Sequence, residues 1–323
     1  MLRRREFIGL IGVAFAFLPL VALSQAKSHR VAILSTSADT ASSFRNIVLP
    51  ELARHGFVEG SNLFVAEHFG GADEMPKLAR EALSTQPDVV IASSLVSVRA
   101  ARDASSTIPI VMSYLGEDPV AQGLVESLAR PGTNVTGLVL MAPELGAKRI
   151  ALLREALPAA RRLGIMAPRP PRSTDQVNAM KSAAERLSFE VRVFYVDEEH
   201  EYVEAFTQMR TAGIETLATT AHIEFARNRE VLSRLATNAG IAMICHWATM
   251  VREGCLLGYG PHSVALRRRT ADFIVRIFGG ASARELPIEQ PATFEVAVNL
   301  RTAKALGVSI PPTILVRADE VLE

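Results

Sequence analysis

From His29 onward the chain sets down short continuous apolar runs, Val31-Ala32-Ile33-Leu34 and Val89-Val90-Ile91-Ala92 among them, each followed by an amphipathic helical stretch. Runs of this kind, without polar alternation, mark strands buried on both faces of a parallel sheet. The periodicities predict strands over 30–36, 62–69, 88–93 and 108–114, separated by helices over 40–55, 74–85 and 95–105. A second series predicts strands over 162–167, 191–196, 216–220, 241–245 and 255–259, with helices over 174–187, 202–212 and 224–239. Between them lie a helix ending near Pro131-Gly132, a strand over 135–140 and a helix over 144–157. Right-handed crossovers leave one economical arrangement for two such series, an α/β molecule of two doubly wound, Rossmann-like lobes. The 323 residues are enough for two lobes with cores of their own.

Sheets of this type hold ligands beyond the carboxyl ends of their strands, and two facing lobes line a cleft with those ends. The ends here are rich in hydroxyls, which makes Ser35, Thr36, Ser93 and Ser94 candidates for hydrogen bonding a small molecule. The competing role for such residues is helix capping, and Ser37, Asp39 and Thr40 stand where a helix start needs acceptors.

The first residues do not belong to this pattern. Arg3, Arg4 and Arg5 precede an apolar stretch from Ile8 to Leu23, and Ser24-Gln25-Ala26 supplies small residues for cleavage. That order is the order of an export signal over residues 1–26, and Arg4-Arg5-Glu6-Phe7-Ile8 resembles a twin-arginine motif, with a Sec route open as well. The stretch is short for a membrane span. The expected location after cleavage is the periplasm. Thirty-five basic and 34 acidic residues give the whole chain a formal charge of +1. Removing three Arg and one Glu with the leader makes it −1. Nothing in that balance favours nucleic acid or an anionic membrane as a partner.

Catalytic and cofactor signatures are missing: there is no phosphate-binding G-x-x-x-x-G-K, no G-x-G-x-x-G after a strand, no G-x-S-x-G and no H-E-x-x-H. The seven histidines are scattered, and Cys245, His246 and Cys255 lack zinc spacing. No metal, cofactor or catalytic residue is therefore expected. Cys245 and Cys255 are read either as small core residues or, in an oxidising compartment, as a disulfide between neighbouring strands. The run Asp197-Glu198-Glu199-His200-Glu201 reads as a solvated helix start. Three consecutive arginines, Arg267, Arg268 and Arg269, cannot all face one way on a helix; at least one faces solvent and another is free to reach a carboxylate or an anion.

Longer motifs carry a family resemblance. Asp118-Pro119-Val120 with Gly123-Leu124-Val125, and Ser127-Leu128-Ala129-Arg130-Pro131-Gly132-Thr133-Asn134-Val135-Thr136-Gly137, resemble a signature of the tryptophan/tyrosine-type ABC transporter substrate-binding proteins. Leu286-Pro287-Ile288-Glu289-Gln290-Pro291, Asn299 to Gly307, Ile310-Pro311-Pro312 and Arg317 to Val321 are similar to further signatures in the same order. The resemblance implies a type I periplasmic-binding-protein clamshell whose chain crosses between lobes three times. It divides the chain into 27–140 plus about 262–290 for one lobe and 141–261 plus about 291–323 for the other. It also implies a monomer that captures a small solute and hands it to ABC permease subunits. A periplasmic sensor that presents its bound state to a membrane receptor would use the same clamshell, and a cleft enzyme is the remaining alternative.

In amino-acid-binding relatives a strand-end Thr-Asp-Asn segment gives a carboxylate to the ligand ammonium. The corresponding stretch here, Thr219-Thr220-Ala221-His222, has no acid, which points away from amino acids because a buried ammonium without a counter-charge is costly. Thr220, His222, His246 and Trp247 suggest instead a pocket for an aromatic or carboxylated solute. Tyr114 and Asp118, next to the crossover, and Tyr259, on the strand opposite, complete the expected lining.

Overall fold

A computed structural model describes residues 28–36, 42–170 and 173–323. The export signal expected over residues 1–26, and the caps expected at Ser37, Asp39 and Thr40, lie outside them. Two sheets organise the chain. The first has the order β2-β1-β3-β4-β5, formed by β1 (His29–Ser35), β2 (Leu63–Phe69), β3 (Val89–Ala92), β4 (Ile110–Leu115) and β5 (Val135–Val139). All its pairings are parallel. The continuous apolar runs occupy its middle: β3 is buried at every position, in register with β1 through Val31↔Val89 and Ile33↔Ile91. The edge strand β2 is only partly buried past its first residue.

The second sheet has the order β12-β11-β10-β9-β8-β6-β7. Its parallel part comprises β6 (Arg162–Ala167), β7 (Glu190–Tyr195), β8 (Thr216–Thr219), β9 (Ala242–Cys245) and β10 (Leu257–Pro261). The strand β11 (Phe294–Asn299) then runs antiparallel to β10, and β12 (Glu320–Leu322) pairs parallel with β11. Together these sheets have the architecture of a type I periplasmic-binding-protein clamshell.

The chain passes between the sheets three times. After β5 it turns at Met141, held in the left-handed region with φ 52°, into α4 (Ala142–Ala156) of the second sheet. After β10 it returns in α9 (Ser263–Phe278), whose Leu266, Phe273, Ile274 and Ile277 pack into one core with Val31, Ile33, Val89 and Ile91. The segment after α9 then lies along β5, where Thr136 Oγ1 donates to the Leu286 carbonyl at 2.7 Å and Val139 N–H to the Glu289 carbonyl at 3.0 Å, before the chain enters β11. On its other side β5 presses close to β4 at Gly137, where a Cβ would collide with the Met112 backbone. The three-arginine stretch lies on α9. Arg269 grips Glu289 with two bonds of 2.5 and 2.6 Å, and Arg268 is exposed.

The remaining helices are α1 (Leu49–Arg54), α2 (Met75–Ser84), α3 (Leu95–Ala104), α5 (Thr174–Arg186), α6 (Tyr202–Thr211), α7 (Ile223–Arg227), α8 (Arg229–Asn238), α10 (Leu300–Leu306) and α11 (Pro312–Leu315). Three expectations change. The helix expected to end near Pro131-Gly132 does not form. A turn over 119–123 and irregular backbone to 132 stand there instead, pinned by Asp118 Oδ1 accepting from Val120 N–H at 2.9 Å and by Gly123 and Gly132 at positive φ. The helix expected over 224–239 is two helices, because Asn228 leaves helical geometry at φ −93°, ψ 20°. In the described part of the helix expected over 40–55, α-helical Ser42 and Ser43 lead into a π-helical turn, Phe44–Val48, before α1. Pro50 has no N–H to continue an α-helical ladder there, and Leu49 N–H reaches back to the Phe44 carbonyl. No helix among the described residues is long and apolar enough to cross a membrane.

Candidate functional site

The carboxyl ends of both sheets open on one cleft of about 510 Å³. From the first sheet, β3 delivers Ser93 and Ser94, β4 delivers Tyr114, Gly116 and Glu117, and β5 delivers Leu140. From the second, β8 delivers Ala221 and His222, and β9 delivers His246 and Trp247. The N-terminal turn of α9 adds Ser263 and Arg267.

The hydroxyls at the first wall are partly engaged. Ser93 Oγ lies 2.6 Å from Ser35 Oγ, which ties the ends of β1 and β3 together. Ser94 caps α3 and forms a reciprocal box with Ser97, whose N–H it accepts at 3.3 Å. Above them stands Tyr114, edge-on to Trp247 with ring centroids 5.9 Å apart and planes at 79°. The two rings come from opposite sheets, so a side chain of each lobe meets the other inside the cleft. The Arg267 guanidinium lies 5.4 Å from the Tyr114 ring centre and donates to its hydroxyl at 3.4 Å.

Behind the second wall is a buried arginine. Arg149 on α4 donates from Nε to the Tyr259 carbonyl at 2.8 Å and from Nη2 to the His246 carbonyl at 3.3 Å. It meets no carboxylate among the described residues, and burial lowers its pKa to about 9. Burial, with the nearby Arg149 and His222, likewise drives the His246 imidazole well below its ordinary range and keeps the ring neutral. Its Nδ1 lies 3.4 Å from Thr219 Oγ1. His222 caps α7, accepting from Glu224 N–H at 3.4 Å.

Cys245 and Cys255 are joined in a disulfide. The loop it closes contains His246, Trp247, Thr249, Met250, Arg252 and Glu253, all of which line the cleft. The loop is also held from beneath, since a Cβ on Gly260 would strike the His246 carbonyl.

Of the residues expected in the lining, Ser93, Ser94, Tyr114, His222, His246 and Trp247 come together in this cleft. Five do not line it. Ser35 is fully buried behind Ser93. Thr36 reaches the second lobe through its backbone, its carbonyl accepting from Arg227 at 3.4 Å. Asp118 is exposed and spends its carboxylate on the turn that follows it. Thr220 is buried, its N–H extending the sheet to the Met166 carbonyl. Tyr259 points away, because the strand alternates. Gly258 and Gly260 press against the backbone of 246–248, so Tyr259 faces the other side, stacked on Phe294 at 6.0 Å in a second cavity of about 250 Å³.

The sequence reading missed Glu117 and Glu253, two acids in the lining. The 219–222 stretch itself brings no acid, as expected, but acids enter the lining from other segments, so that stretch alone does not decide against an ammonium. Glu117 lies just past the β4 end, three residues beyond Tyr114, so the same strand-end rule carried a little further finds it. Glu253 sits in a 3-10 turn, Ala248–Glu253, that no periodicity signals. Among the described residues no group of three or more His, Cys, Asp or Glu is placed to hold a metal.

Residues 37–322 match the model of a family described as ABC transporter substrate binding protein. A tyrosine-binding protein of Clostridioides difficile (strain R20291) is 25% identical over 256 residues, covering 78% of this chain and 72% of that protein. Among solved structures, a conserved domain protein from Vibrio cholerae superposes with a TM-score of 0.84 at 23% identity, covering 91% of this chain and 100% of that one. The ABC domain in complex with L-Trp from Streptococcus pneumonia gives 0.83 at 20% identity, covering 92% and 100%.

Proposed function

The chain belongs to the ABC transporter substrate binding protein family, and from that premise we propose that it captures a small aromatic solute in the cleft between its lobes and delivers it to an ABC permease. The observation that carries this reading is the Tyr114–Trp247 pair, one ring from each sheet, meeting in a cleft of about 510 Å³. A planar solute packed against this pair touches a ring of each lobe at once, and aromatic contacts contribute about 0.5–1.5 kcal/mol each beyond the area they bury. Contact with both walls also favours the closed arrangement, so differential affinity for the closed state drives capture without covalent chemistry. The tyrosine-binding relative and the L-Trp complex support an aromatic ligand. In this reading the first lobe comprises 27–140 with about 262–290, the second 141–261 with about 291–323, and the mature protein is a periplasmic monomer released from residues 1–26.

Trp247 is the single tryptophan, so its emission reports the cleft alone. Titrating the mature chain with L-tyrosine and with 3-(4-hydroxyphenyl)propionate should produce a saturable change in that emission for at least one of them. Calorimetric binding of a non-aromatic solute, with no aromatic probe binding, would overturn the reading.

A further inference from the structure

Among the described residues six charged side chains line the cleft: Glu117, Arg227, Arg229, Arg252, Glu253 and Arg267. Four are already in ion pairs. Arg229 pairs with Glu253 at 3.1 Å, Arg227 with Glu224 at 3.2 Å, and Arg252 holds Glu320 by two bonds of 2.9 and 3.1 Å. Glu117 and Arg267 have no ion-pair partner among the described residues. They carry opposite signs, and both stand on the wall of the first sheet.

Each is only partly satisfied. Arg267 donates to the Ser263 carbonyl at 3.1 Å and to the Tyr114 hydroxyl at 3.4 Å, while its buried Nε has no partner. A guanidinium presents five donors in a fixed fork, so it retains donors for a planar anion. It is also anchored beside Tyr114, the residue assigned to the aromatic part of the solute. Glu117 is half-buried where the two walls approach each other: a Cβ built on the adjacent Gly116 would stand 3.8 Å from the Ala221 carbonyl across the cleft. Ala221 itself brings no charge. Burial pushes the Glu117 carboxyl upward, and the offset comes only from backbone N–H groups of residues 116 and 117 and from Arg99. A carboxyl so placed gains from an incoming cation more than one already paired or open to water.

We propose that Glu117 is the residue that selects an ammonium group on the solute, with Arg267 receiving its carboxylate, so that the cleft is specific for an aromatic amino acid in its zwitterionic form. The assignment rests on the aromatic reading above and adds the two charge anchors. Its distinctive element is that both anchors come from the first lobe, leaving the second lobe to supply aromatic surface through Trp247 and His246 beside charges already paired within it. A solute lacking either charge leaves one anchor without its counterpart, and that mismatch is the source of discrimination.

Calorimetry on the mature full chain with three probes tests it: L-tyrosine, tyramine, which lacks the carboxylate, and 3-(4-hydroxyphenyl)propionate, which lacks the ammonium. The wild type should bind L-tyrosine roughly 10- to 100-fold more tightly than either analogue, the range spanned by one charge-assisted hydrogen bond. Glu117→Gln should weaken L-tyrosine and tyramine by that factor and leave the propionate unchanged, with Glu117→Asp retaining most of the preference. Arg267→Gln should weaken L-tyrosine and the propionate while sparing tyramine. Equal binding of L-tyrosine and the propionate by the wild type, or a Glu117→Gln variant that weakens all three alike, would overturn the assignment. If the propionate still changes Trp247 emission in that case, the aromatic reading survives without it. Binding of none of the three overturns both.

Discussion

The Cys245–Cys255 disulfide is the tie whose removal should be felt most widely. It spans ten positions in sequence and encloses six side chains of the cleft lining. In the chain-entropy account, closing a loop of this length removes about 3 kcal/mol of freedom from the unfolded chain. A Cys245→Ala, Cys255→Ala double variant should therefore lose about 3 kcal/mol, with a small addition from the lost buried sulfurs, since both cysteines are fully buried. At about 2–4 °C per kcal/mol for a domain of this size, the melting temperature should fall by about 6–12 °C. The same change should reach the ligand. His246 and Trp247 follow Cys245 directly, and a loop that must be ordered on binding costs about 0.5–1.5 kcal/mol per immobilised side chain, or about 2- to 13-fold in affinity for each. Thermal melts and aromatic-probe titrations of the oxidised wild type and the double variant measure both effects. A variant that melts within about 2 °C of wild type and binds with unchanged affinity would refute the view that this bridge holds the second wall in place.

Other changes probe the supports around the cleft. Arg149→Ala empties a fully buried site and strips the His246 and Tyr259 carbonyls of their donor, so it should cost about 3–5 kcal/mol in denaturant unfolding, and a loss below about 1 kcal/mol would contradict its structural role. Glu289→Gln breaks the two-bond grip of Arg269 that ties the third crossover to α9, with an expected loss of about 1–2 kcal/mol that shrinks in high salt. Glu201 is held near a pKa of about 2, first by hydrogen bonds from Arg169 and then by the N–H groups of Asp197 and Glu198. Its folded pKa is depressed, so its contribution is present above the ordinary value of 4.5 and disappears as pH falls toward about 2. Glu201→Gln should cost about 1 kcal/mol at neutral pH, as suits a solvent-accessible pair, and nothing at the acid end of that window; unfolding curves across it provide the check.

Much of the architecture was legible because it rests on burial. The runs in β1 and β3 are apolar on both faces, and a strand apolar on both faces has few places to go but the middle of a parallel sheet. Strand ends follow from strands, and six of the candidates at those ends do meet in the cleft. What escaped depends on direction and on local exceptions. Tyr259 fails because position on a strand says nothing about which face the cleft uses; the deciding fact is that Gly258 and Gly260 press against the 246–248 backbone. Residues 118–132 read as a helix from their apolar spacing, but Pro119, Gly123, Pro131 and Gly132 impose turns that spacing does not register. Glu117 was passed over because the β4 reading stopped at its hydroxyl and aromatic residues, and Arg267 could not be told from Arg268 and Arg269 until α9 fixed their directions.

The central claim is that the two sheets close on an aromatic solute packed against Tyr114 and Trp247. Mass spectrometry of the small molecule released by denaturing mature protein purified after growth with a mixture of amino acids, aromatic acids and sugars tests it most directly. An aromatic solute, bound one per chain and lost from a Tyr114→Ala, Trp247→Ala variant that still folds, is the predicted result. A sugar or an aliphatic solute bound one per chain, and retained by that variant, would contradict it.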